Sequence, residues 1–219
     1  EETDIKVTVD EYRRSWRAVK EHTSCFPGDV YFGTFKAMQW CKEAAELHTA
    51  IANIPIQTGY TPEAWSKSVD SMLPKKEGEW RNSKLRLTSL QRPDYTHNNK
   101  ILGRIAMRNA EASSKLALEQ YGSRKHLSVE KHALNKRLMV DVLRLQRRPG
   151  IICANDAKAC YDRILHFAAY ISLRWVGIPK EAAISMLQPI RRLKHFIRTA
   201  YGNSKFYYGG DEWTRDLSG

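Results

Sequence analysis

Two short stretches of strand character, 69–76 and 84–90, interrupt a chain otherwise dominated by helical periodicity, and that order limits the fold more than any other feature. Val69-Asp70-Ser71-Met72-Leu73-Pro74-Lys75-Lys76 and Lys84-Leu85-Arg86-Leu87-Thr88-Ser89-Leu90 flank Glu77-Gly78-Glu79, a turn region. Together they predict a basic-ended β arm able to fold over something negatively charged. Before the arm, Thr8 opens a helical pattern through Tyr12, Trp16 and Val19, and Cys25-Phe26-Pro27-Gly28-Asp29 is a turn. A helix is expected from Thr34 to about Ala52, with Ala37, Trp40, Cys41, Ala44 and Leu47 on one face. Thr61 is placed to cap a short helix beginning at Pro62.

After the arm, Ile101, Ile105, Ala112 and Leu116 recur at helical spacing between Asn98 and about Leu118. Ser128 can cap the next helix, whose inner face would be Leu134, Leu138, Val142 and Leu145, and Pro149-Gly150 ends it. Ile151-Ile152-Cys153-Ala154 predicts a short buried strand with Asn155-Asp156 at its polar end. A helix is then expected from Tyr161 to Trp175, stopped by Gly177-Ile178-Pro179, and another through Met186. Residues 196–200 and 205–208 flank Tyr201-Gly202-Asn203, a hairpin signal. The fold class is α/β and helix-rich, in three stretches: helical residues 1–66, the β arm with basic helices at 67–148, and a strand, helices and hairpin at 149–219.

Charge narrows the partners. The net is +12, and residues 81–148 hold sixteen Lys/Arg against five Asp/Glu, so the surplus is concentrated in one stretch. Tyr95, His97, Tyr121 and His126 are interleaved there, the composition of a phosphate-backbone groove. No run approaches the ~18 apolar residues of a membrane span. The acidic start, Glu1-Glu2-Thr3-Asp4, lacks the apolar region of a signal peptide. Cys25, Cys41, Cys153 and Cys160 show no C-x-x-C spacing, which argues against structural zinc and fits free thiols in a reducing, intracellular compartment, nuclear or cytoplasmic.

The chemistry gathers at Asp156-Ala157-Lys158-Ala159-Cys160-Tyr161-Asp162, a strand-end carboxylate with an aromatic five residues on. This element resembles the first catalytic motif of reverse transcriptases of the non-LTR retroelement and group II intron type. Four further segments are similar to that family in order and spacing: Pro27-Gly28-Asp29, Trp65 through Lys76, Arg86 through Leu102, and Gln120-Tyr121-Gly122-Ser123-Arg124-Lys125. The sequence departs from the family pattern at Leu87-Thr88, where Pro-Ile is usual, and at Thr96, where Lys is usual.

The resemblance implies a right-hand polymerase fold, with fingers and part of a palm, and RNA-directed DNA synthesis by two-metal nucleotidyl transfer. It implies Asp156 as catalytic residue and Mg²⁺ ligand (Mn²⁺ being a possible substitute), with the Ala157 carbonyl as a second ligand. It implies Arg86 at the triphosphate and Tyr161 beneath the sugar of a deoxynucleoside triphosphate. Lys100, Arg104, Arg124 and Lys125 would contact the phosphates of an RNA template or RNA–DNA hybrid. The family's paired-aspartate motif is not in this sequence, so the chain is expected to be inactive by itself and to need a downstream segment or to self-associate. The alternative is a non-catalytic RNA-binding protein derived from such a polymerase.

Overall fold

The computed structural model describes residues 4–28, 30–124, 126–153, 155 and 163–210. It is an α/β structure: seven α-helices and a mixed four-stranded sheet among the described residues.

Helix α1 (Val9–Arg17) starts where Thr8 predicts. Thr8 Oγ1 accepts from the Glu11 amide at 3.3 Å and the Glu11 carboxylate accepts from the Thr8 amide at 3.0 Å, a reciprocal cap that satisfies two exposed amides. The helix expected over 34–52 is instead two: α2 (Phe32–Met38) and α3 (Lys42–Thr58). The break at 39–41 resets the helical phase, so the predicted face is on the wrong side. Trp40 and Leu47 are exposed, whereas Phe32, Phe35, Ala45, Thr49, Asn53 and Ile56 are buried. Asn53 goes inward because its carboxamide bonds both the amide and the carbonyl of Val7, each at 2.9 Å, and docks the extended N-terminal segment.

Thr61 does not cap a helix; residues 63–66 form a single 3-10 turn preceded by Pro62 in extended conformation. Strands β1 (Lys67–Pro74) and β2 (Leu85–Leu90) make the expected antiparallel arm, from Val69 opposite Leu90 to Pro74 opposite Leu85. Gly78 turns between them at φ +81°, a conformation costly for other residues. Helix α4 (Pro93–Ala112) begins five residues before the expected Asn98, with proline at its first position and Asp94 in its first turn. It ends at Ala112, before Leu116.

Helix α5 (Val129–Leu145) begins at the Ser128 cap, but its predicted inner face lies open: Leu134, Leu138, Val142 and Leu145 are all exposed. No strand forms at 151–153, and Ile151 is 91% exposed there. Helix α6 (His166–Trp175) and helix α7 (Lys180–Arg191) follow, then β3 (Lys194–Thr199) and β4 (Gly202–Gly209), the predicted hairpin. The sheet order is β2-β1-β3-β4, with β3 parallel to β1 and β4 antiparallel to β3.

One apolar cluster draws on residues from the start, middle and end of the chain: Ile5, Tyr12, Trp16, Phe32, Phe35, Ile56, Leu102, Ile178 and Ala182. Trp16 is fully buried at its centre, stacked on Phe35 at 5.1 Å and on the His97 ring at 4.0 Å. No described helix is long and apolar enough to cross a membrane.

Candidate nucleic-acid interface

Helix α4 carries Lys100, Arg104 and Arg108 at intervals of four, which places them in a line along one side. Beside them, α1 contributes Arg14 and the N-terminal segment contributes Lys6; together with Arg104 and Arg108 they rim a groove of about 370 Å³ floored by Ile101 and Ile105. Two acids, Asp4 and Glu11, share it. The Glu11 carboxylate is held by Thr8, whose amide and hydroxyl keep its pKa below the ordinary value, helped by the field of Arg14 and Arg108. Among the described residues no acid forms an ion pair with Arg104 or Arg108. Lys100 holds its proton less firmly than a free lysine, through partial burial and the neighbouring Arg104. A cluster of like positive charges sets up a field that attracts anions.

The remaining expected contacts are dispersed. Arg86 stands exposed toward the tip of the β arm, opposite Leu73. Arg124 is turned inward upon its own loop, pairing with Glu111 at 3.4 Å and donating to the carbonyls of Ala117 and Gln120. Lys125, Asp156, Ala157 and Tyr161 lie outside the described residues. Among the described residues no group of three or more His, Cys, Asp or Glu is disposed to hold a metal ion.

Sequence reasoning missed a second polar constellation. Asp70, fully buried at the centre of β1, accepts hydrogen bonds from all four strands' worth of neighbours. Ser89 on β2 donates at 2.7 Å and Ser68 on β1 at 3.4 Å to one oxygen; His195 Nδ1 on β3 lies 2.9 Å from the other, which also accepts from the Tyr208 hydroxyl on β4. A carboxylate has lone pairs for all four donors, and only such saturation makes a buried one tolerable. The His195 and Tyr208 rings stack at 4.9 Å, so the network ties the β arm to the C-terminal hairpin. The sequence signal was an aspartate between Val69 and Ser71 within a predicted strand. What it lacked was the partner 125 residues away.

Neither a protein-family model nor a curated protein sequence matches the chain.

Proposed function

We propose that this chain forms the fingers and part of the palm of an RNA-directed DNA polymerase. The observation that carries the reading is the unit built by the finger-like segment: an antiparallel arm, β1–β2, running directly into α4 and its open line of Lys100, Arg104 and Arg108. The four other motif-like segments follow one another along the sequence in the order of a reverse transcriptase. In this reading the RNA template or RNA–DNA hybrid lies along the cationic groove, and Arg86 reaches over the incoming triphosphate from the arm. Asp156 and the Ala157 carbonyl would hold magnesium, which when bound lowers the pKa of the primer hydroxyl and neutralises the triphosphate. Tyr161 would pack beneath the sugar and discriminate against a 2′-hydroxyl.

Binding of a fluorescent RNA–DNA hybrid across a salt series tests the reading. Affinity should fall steeply, with a slope of several in log K against log salt, because several phosphates are neutralised together. Arg104→Ala with Arg108→Ala should reduce that slope by about two. A flat salt response, or a slope untouched by the double substitution, removes the interface. The catalytic half is separable: with a segment carrying the paired aspartates supplied, templated deoxynucleotide addition should appear and be lost in Asp156→Ala.

A further inference from the structure

A second cavity, of about 230 Å³, lies between α1, α3 and α4, apart from the cationic groove. Its walls are apolar and aromatic, with Tyr12, Ala52, Trp65, His97 and Ile101 among them, and Ile51 and Ile54 stand exposed at its mouth. Within this lining two buried polar atoms have no hydrogen-bond partner in the protein: the Trp65 indole N–H and the Asn98 side-chain oxygen. Both residues are more than nine-tenths buried, at 5% and 6% exposure. The Asn98 amide nitrogen is directed to Ser185 Oγ at 3.4 Å, which leaves the oxygen as the unanswered end. A buried donor and a buried acceptor that each lack a partner leave a deficit, which a bound molecule with the complementary edge would remove.

The lining is unsuited to an anionic guest. Asp94 is its one formally charged residue, and that carboxylate pairs with Arg92 at 3.2 Å. His97 is neutral because burial opposes its protonation. A phosphate or carboxylate placed here would lose its hydration and meet no lysine or arginine in the lining. A flat, uncharged ring suits the aromatic walls, and its edge must offer an acceptor to Trp65 and a donor to Asn98.

We propose that this cavity binds one uncharged heteroaromatic ring with a hydrogen-bond acceptor and donor on its edge, the chemistry of a nucleobase. The ring can come from a base unstacked from a bound strand or from a free nucleoside. The strand source rests on the RNA-binding reading above; the pocket itself does not.

The test titrates the chain with the four ribonucleosides by saturation-transfer NMR, and with single-stranded RNA carrying 2-aminopurine by fluorescence, at low and physiological salt. Ala52→Leu fills the cavity without touching a hydrogen bond, and Trp65→Phe keeps the ring wall while deleting the N–H. Saturable nucleoside binding, insensitive to salt and weakened about tenfold in both variants, supports the proposal with the free nucleoside as ligand. Quenching of 2-aminopurine that both variants lose, while the salt-driven affinity for RNA stays as in the parent, supports it with a strand base as ligand. Absence of both signals, or a signal that survives Ala52→Leu with the thermal midpoint unchanged, overturns it. Loss of the salt slope with the pocket signal intact would instead strike the polymerase reading alone.

Discussion

Helices α1 and α5 start from the same kind of local instruction and end in different circumstances. Each follows a hydroxyl cap, Thr8 or Ser128, with an acidic residue in its first turn and arginine in its last. Helix α1 buries Tyr12 and Trp16, whereas α5 buries nothing, and its apolar stripe of Leu134, Leu138 and Val142 is about half exposed throughout. Capping and periodicity therefore decide that a helix forms. Whether its apolar face is used depends on a partner surface elsewhere in the chain, here α2, α3 and the His97 turn of α4 for α1.

Truncation of the two apolar faces should separate the helices by the widest margin. Trp16→Ala empties the centre of the aromatic cluster and should cost about 4 kcal/mol, enough to unfold a marginal domain. Leu138→Ala removes a half-exposed side chain and should change stability by no more than ~0.5 kcal/mol. Urea unfolding followed by tryptophan fluorescence and by circular dichroism measures both. A cost for Leu138→Ala approaching that of Trp16→Ala would mean that α5 packs on a surface of its own in solution.

A smaller effect isolates the core from within. His97 stacks on Trp16 and its Nε2 lies 2.8 Å from Ser15 Oγ. Burial, reinforced by Lys100 and Arg104, pushes its pKa down to about 3. The unfolded chain takes up this proton near pH 6.5, so between pH 3 and 6.5 the unfolded state binds more protons than the folded one. Stability is therefore fully present above the ordinary histidine range and is lost as pH falls below it. Unfolding free energy should be ~2 kcal/mol lower at pH 5 than at pH 7, and His97→Gln should flatten that slope. An unchanged slope in His97→Gln would place the acid sensitivity elsewhere.

What was legible in the sequence were the features written in neighbouring residues. The Thr8 and Ser128 caps, the arm around Gly78 and the hairpin around Gly202 formed where their turn and cap chemistry put them. What was illegible depended on distance along the chain. The parallel pairing of β1 with β3 joins Lys67 to Lys194, and no local pattern announces it. The inward turn of Asn53 goes with its two bonds to Val7, 46 residues away, while Thr49 bonds Ala45 on its own helix. Of the expected interface, Lys100 and Arg104 share the α4 line because a spacing of four is a local property, whereas Arg124 is engaged by Glu111 through a loop that periodicity cannot describe. The Asp70 network was hidden for the same reason: each member is ordinary on its own strand, and the sheet order makes it a unit.

The smallest expected effect separates forming a helix from stabilising a fold. Thr8→Ala removes the hydroxyl that caps α1 and frees Glu11 from its reciprocal bond, for a cost of about 1 kcal/mol. Since α1 holds Trp16 in the core, that cost should appear in full as a lower global unfolding free energy. Ser128→Ala deletes the corresponding bond to Lys131, a longer one at 3.4 Å, with a similar or smaller intrinsic cost. With no buried side chain coupling α5 to the core, its loss should leave the global transition unmoved and speed amide exchange in the first turn of α5 instead. Hydrogen exchange read residue by residue, beside urea unfolding of the same two variants, distinguishes the cases. A global loss of about 1 kcal/mol in Ser128→Ala would show that α5 belongs to the same cooperative unit as α1, and that its open apolar stripe finds a partner when the protein folds.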